Sequence, residues 1–105
     1  MPPNLQIVFV TCPAEAAEDL ARTLVEARVA ACVNLLPRIV SVYRWQDAVQ
    51  REEEALLLIK APAEGFEALR QAVLAHHPYE LPEVVAVNPD AVHQPYLDWV
   101  LASCR

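Results

Sequence analysis

Two mid-chain runs decide the fold: Ile39-Val40-Ser41-Val42-Tyr43-Arg44-Trp45 and Glu54-Ala55-Leu56-Leu57-Leu58-Ile59-Lys60. Successive side chains of a strand point to opposite faces, so Ile39, Ser41, Tyr43 and Trp45 share one face of the first run. Val40, Val42 and Arg44 share the other. A turn within Gln46 to Gln50 brings the second run back along the first, which predicts a long antiparallel hairpin. Just before it, Ala31-Cys32-Val33-Asn34-Leu35-Leu36 reads as a strand. Pro37 interrupts this strand, and since it has no N–H for the ladder it belongs at an edge or a bulge.

Working outward, Leu5-Gln6-Ile7-Val8-Phe9-Val10 is a strand ending near Thr11-Cys12. After Pro13 the period changes to 3.6, with Ala17, Leu20, Ala21, Leu24 and Val25 on one helix face and Glu15, Glu18, Asp19, Arg22 and Glu26 on the other. A second helix follows Pro62, placing Phe66, Leu69, Ala72 and Val73 inward, and ends at His76-His77 before Pro78. Val84-Val85-Ala86-Val87 is a short strand, and Tyr96 to Leu101 a brief terminal helix. The order β-α-β-β-α-β predicts an α+β fold, the ferredoxin-like split β-α-β sandwich, as a single domain over residues 1–105.

Two helices cover one face of such a sheet, and the other face should then alternate toward polar residues. It does not. Ile7 and Phe9 are matched by Val8 and Val10, Leu56 and Leu58 by Leu57 and Ile59, and Val85 and Val87 by Val84 and Ala86. Apolar residues make up 55% of only 105, more than two small helices can hide. The expectation is burial against identical subunits, with the hairpin reaching a neighbour's sheet edge.

Composition excludes several functions. A net charge of −6 offers no footprint for nucleic acid or an anionic membrane. The longest apolar runs fall far short of a membrane span, and Met1-Pro2-Pro3-Asn4 lacks a secretory pattern, so a cytoplasmic location is expected. Cys12, Cys32 and Cys104 are too few and too scattered for a disulfide framework. Gly65 is the only glycine, which rules out a P-loop, a dinucleotide fingerprint and a nucleophile elbow.

The densest chemistry lies in His76-His77-Pro78-Tyr79-Glu80-Leu81-Pro82-Glu83. Its prolines hold the backbone extended on either side of Tyr79, so the segment is a stiff connection. Together with Ala31-Cys32-Val33-Asn34, Ser41-Val42-Tyr43-Arg44-Trp45 and Tyr96-Leu97-Asp98-Trp99, it resembles the CutA divalent-cation tolerance proteins in the same order along the chain. The resemblance implies a ferredoxin-like homotrimer, similar in architecture to the trimeric nitrogen-regulatory signal proteins; from the residues themselves, which show no activated nucleophile, no enzyme activity is expected. The resemblance further implies a site for copper (Cu2+) or another divalent cation, not required for folding, at His76 and His77 with a first-strand cysteine. Val10 stands at the cysteine's place here, and Cys12, two residues on and on the same face, is its candidate replacement. The hairpin turn departs as well: Asp47-Ala48-Val49 stands where the family commonly has Gly-Lys-Ile or Gly-Lys-Leu.

Each candidate has a plainer reading. Adjacent helical histidines project about 100° apart and chelate one ion only if the helix unwinds before Pro78 or a second subunit assists. At a helix C-terminus they also serve as a cap. Cys32 fits a buried strand thiol and Cys104 an exposed one. Tyr43 and Trp45 suit interface anchors. Lys60 is expected to face solvent or pair with Glu54 or Glu83, and Tyr79 to bond across a subunit boundary. Glu80 and Glu83 could divide as acid and base, yet no activated nucleophile accompanies them. The competing non-enzymatic reading is a small-molecule sensor using clefts between subunits.

Overall fold

A computed structural model describes residues 3–105. In chain order its elements are β1 (Leu5–Cys12), α1 (Ala14–Glu26), β2 (Cys32–Trp45), β3 (Ala48–Pro62), a 3-10 turn (Ala63–Gly65), α2 (Phe66–His76), β4 (Val85–Val87) and α3 (Gln94–Ser103). The sheet runs β2-β3-β1-β4, with antiparallel neighbours throughout. This is the ferredoxin-like sandwich, extended by the β2-β3 hairpin and a C-terminal helix.

Pro37 does not end a strand. β2 runs through it, with a bulge between Leu36 and Ile39 and Arg38 at φ 61°. The bulge absorbs the missing N–H, so the two expected runs join into 14 residues. The turn is tighter than Gln46 to Gln50, because Trp45 pairs directly with Ala48. Gln46 and Asp47 take φ 50° and 64°, the signature of a type I′ turn, made here without glycine. Arg28, at φ 60°, similarly closes α1, its N–H bonding Val25 and that of Val29 bonding Leu24.

The core lies between the sheet and α1 and α2. Val8, Val10 and Cys12 alternate inward from β1 and Leu57 and Ile59 from β3, meeting Leu20, Leu24, Leu69 and Val73. Val25 does not join them and is 40% exposed. α3 packs on the opposite face: Leu97 and Val100 cover Leu5, Ala31 and Ile7, closing one end of a face expected to await other subunits. The rest of that face stays open. Phe9, Leu56 and Leu58 are half-buried, and Leu36, Val85 and Val87 are exposed. Beyond the helices, the hairpin is uncovered on both sides.

Candidate functional site

The connection after α2 is fastened at His77. Helix ends at His76 because a residue preceding proline is driven from the α region, and His77 takes φ −90°, ψ 136°. Its ring is buried, with Nε2 at 2.7 Å from the Thr11 carbonyl and Nδ1 at 3.1 Å from the Tyr79 backbone N–H. A carbonyl only accepts and an amide only donates, so in this pair of bonds Nε2 is the donor and Nδ1 the acceptor. The Tyr79 ring then stacks obliquely on it, centroids 4.8 Å apart.

From there Tyr79 reaches the base of the hairpin. Its hydroxyl donates to Glu54 Oε2 at 2.7 Å, within its own subunit rather than across a boundary. Glu54 is only 5% exposed. Burial, then this carboxylate, pushes the Tyr79 phenol upward. A second pair lies along the hairpin, where the Tyr43 hydroxyl donates to Glu52. That hydrogen bond, more than burial, raises the Tyr43 phenol to about 12. Both phenols therefore stay protonated as donors near neutral pH.

Between the hairpin and the proline-rich connection lies a cleft of about 780 Å³, walled by Tyr43, Trp45 and Tyr79. Glu52, Glu54, Glu80 and Glu83 also line it, and among the described residues no lysine, arginine or histidine does. Glu52 and Glu54 went unrecognised as site residues in the sequence. The signal was there: alternation through Glu52-Glu53-Glu54 puts the first and third on the face of Ser41 and Tyr43.

The expected metal ligands are arranged differently. Unwinding before Pro78 does occur, but it turns His77 inward, where both ring nitrogens are occupied. β1 does continue to Cys12, on the face of Val10, yet that face is the core and Cys12 is fully buried. Burial, with Glu54 and then Glu15 adding to it, pushes its thiol up to about 11, far from the thiolate a soft metal binds. His76 is exposed and, together with His77, Asp19 and Thr23, borders a separate shallow groove. Among the described residues no three His, Cys, Asp or Glu side chains are grouped to hold an ion. Within one subunit, His76, His77 and Cys12 do not form a three-donor centre.

Other placements also differ from expectation. Lys60 bonds the Asn34 side chain and the Leu58 carbonyl, not Glu54 or Glu83. Cys32 and Cys104 are both half-buried, Cys104 because, at the end of α3, it packs against the cluster of Leu5, Ala31, Leu97 and Val100.

Residues 6–103 match the family model of the CutA1 divalent ion tolerance protein. The chain belongs to that family. Among CutA relatives, "Protein CutA" of Mus musculus is 43% identical over 101 residues, 95% of this chain and 57% of the mouse protein. The "Divalent-cation tolerance protein CutA" of Thermus thermophilus is 44% identical over 96 residues, 90% of this chain and 93% of that protein. This chain thus spans little more than half of the mouse protein and nearly all of the bacterial one. The solved "PII-like protein CutA" of Nostoc, in apo form, superposes with a TM-score of 0.90 at 39% identity, covering 95% of this chain and 97% of that one.

Proposed function

We propose that this CutA chain acts in divalent-cation tolerance as a non-enzymatic, cytoplasmic homotrimer, the whole of residues 1–105 working as one unit. The observation that carries the assembly is the open part of the second sheet face. Each large apolar side chain there stabilises association by up to about 1.5–3 kcal/mol when fully covered, and several are already half-covered. Six such residues still leave a drive of several kcal/mol. Sedimentation equilibrium at micromolar concentration should give three times the 11.7 kDa subunit mass. A single-subunit mass would sink the proposal.

Copper or another divalent cation is proposed at the His76 corner, with narrower scope than the family pattern implies. His76 is the exposed imidazole, whereas His77 and Cys12 are engaged in the fold. One imidazole binds weakly alone, so further donors must come from Asp19 across the groove or from another subunit. Three free cysteines suit a reducing compartment. The non-enzymatic reading rests on chemistry: the one thiol near the cleft is sealed and protonated, and both phenols are tied to carboxylates.

The cleft itself favours a second reading, a small-molecule sensor. Its volume and aromatic walls suit a compact ligand. A thermal-shift panel of metals, nucleotides and small anions tests this, since a ligand of the folded form raises the melting temperature with concentration. No shift and no direct binding across the panel would remove the sensor reading.

A further inference from the structure

Glu54 is a buried carboxylate with one oxygen unused. It is 5% exposed, and Tyr79 donates to Oε2 alone. Among the described residues Oε1 takes no hydrogen bond, and no cation pairs with the side chain. No fully buried polar atom among them lacks a partner, so Oε1 keeps a sliver of exposure, on the cleft that Glu54 lines. A charge taken out of water without a counter-charge is costly, and a cation in the cleft removes that cost.

The remaining carboxylates stand on both walls of the same cleft. Glu52, on the hairpin wall, accepts from Tyr43. Glu80 and Glu83, on the connection wall, are exposed and join no ion pair among the described residues. Yet no three of these carboxylates are grouped to hold a metal ion. The negative charge is spread along the cleft rather than focused at a point. Tyr43 and Trp45, 39% and 37% exposed, add aromatic rings to the hairpin wall, and an alkylammonium is attracted to carboxylate and ring alike.

We propose that the cleft binds an organic polyamine, its spaced ammonium groups reaching Glu52 and Glu54 on one wall and Glu80 and Glu83 on the other, with a methylene stem against Trp45. The proposal rests on the small-molecule reading of the cleft and adds the ligand's chemistry. A volume of about 780 Å³ lies within the usual range of small-molecule sites. Nucleotides and other anions are disfavoured, since four carboxylates and, among the described residues, no cationic side chain would meet them. A bare divalent ion lacks converging donors.

Calorimetric titration of the wild-type protein in amine-free buffer tests this, with spermidine, 1,4-diaminobutane, butylamine and the uncharged 1,4-butanediol as probes. Affinity should rise about two- to fivefold with each added ammonium, the worth of one partly screened ion pair. Butanediol should give no saturable signal, and added salt should weaken spermidine. Glu80→Gln/Glu83→Gln should cost spermidine roughly tenfold, and circular dichroism checks that the variant keeps its fold. Should it misfold, Glu80→Gln alone carries the same comparison with a smaller loss. In a Trp99→Phe chain, spermidine should shift the fluorescence of Trp45 over the same concentration range. Binding of wild-type strength in the folded glutamine variant, or an unresponsive Trp45, overturns the assignment to this cleft. Butanediol or succinate bound as tightly as diaminobutane overturns the polyamine and leaves the small-molecule reading standing. No signal from any amine also overturns the polyamine, and the sensor reading then rests on its own panel.

Discussion

Tyr79→Phe removes one atom, and its effect can be worked from the geometry. The lost hydroxyl donates at 2.7 Å to a carboxylate that is 5% exposed. A hydrogen bond to a charged acceptor stabilises by about 1.5–3 kcal/mol. Tyr79 is itself only half-buried, and partial solvent screening puts the expectation at the low end, about 1.5–2 kcal/mol. For a domain of this size that corresponds to roughly 8–15 °C in Tm. The assay is urea unfolding at fixed protein concentration, since an oligomer's apparent stability depends on it. Glu54→Met and the combined variant complete a double-mutant cycle. Removing both partners should cost less than the two single changes summed, with a coupling of about 1 kcal/mol or more. Additive effects, or a Tyr79→Phe loss below about 0.5 kcal/mol, would refute the claim that this bond fastens the connection to the hairpin.

Copper titration by calorimetry should lose its signal in His76→Ala, while His77→Ala should cost about 2 kcal/mol of stability through its two broken hydrogen bonds; copper binding lost only in His77→Ala would reverse these roles. Alkaline stability follows from the raised thiol and phenols. For Cys12 the sign is clear: folding favours the protonated thiol, so its contribution is full below its ordinary 9.0 and lost as pH rises through about 11. The urea midpoint should therefore fall over that range, less steeply in Cys12→Ala, with Tyr43 adding its own loss up to about 12. At the hairpin turn, Asp47→Val should destabilise by about 1–2 kcal/mol because a β-branched residue resists positive φ, whereas Asp47→Gly should not; circular dichroism melts of both would check it.

Much of the fold was legible because local rules governed it. Strand and helix periods placed β1, α1, the hairpin and α2 within a few residues, and the doubled apolar faces pointed to association. The misreadings share a physical cause. Pro37 lies at a bulge of an edge strand, as its missing N–H requires; what local pattern missed is that β2 runs on through it and that the chain turns already at Gln46-Asp47, both imposed by the ladder, in which twelve register pairs bind β2 to β3. The role of α3 escaped because nothing in a short apolar helix says which sheet face it will close.

The site was legible only in part. His77, Tyr79 and the proline-rich connection stood out by composition, and their residue types alone pointed to metal chemistry. Direction could not be read that way. A histidine's task depends on what its two nitrogens meet, and Thr11 lies 66 residues away in the chain. The same holds for Glu54, whose partner Tyr79 is 25 residues distant. By itself the sequence determined the strand and helix order, the family and the excess of apolar surface, since each follows from local pattern. Only the tertiary structure decided that both ring nitrogens of His77 are hydrogen-bonded, that Cys12 and Glu54 are buried, and that the cleft is acidic. Those properties arise where distant segments remove one another from water.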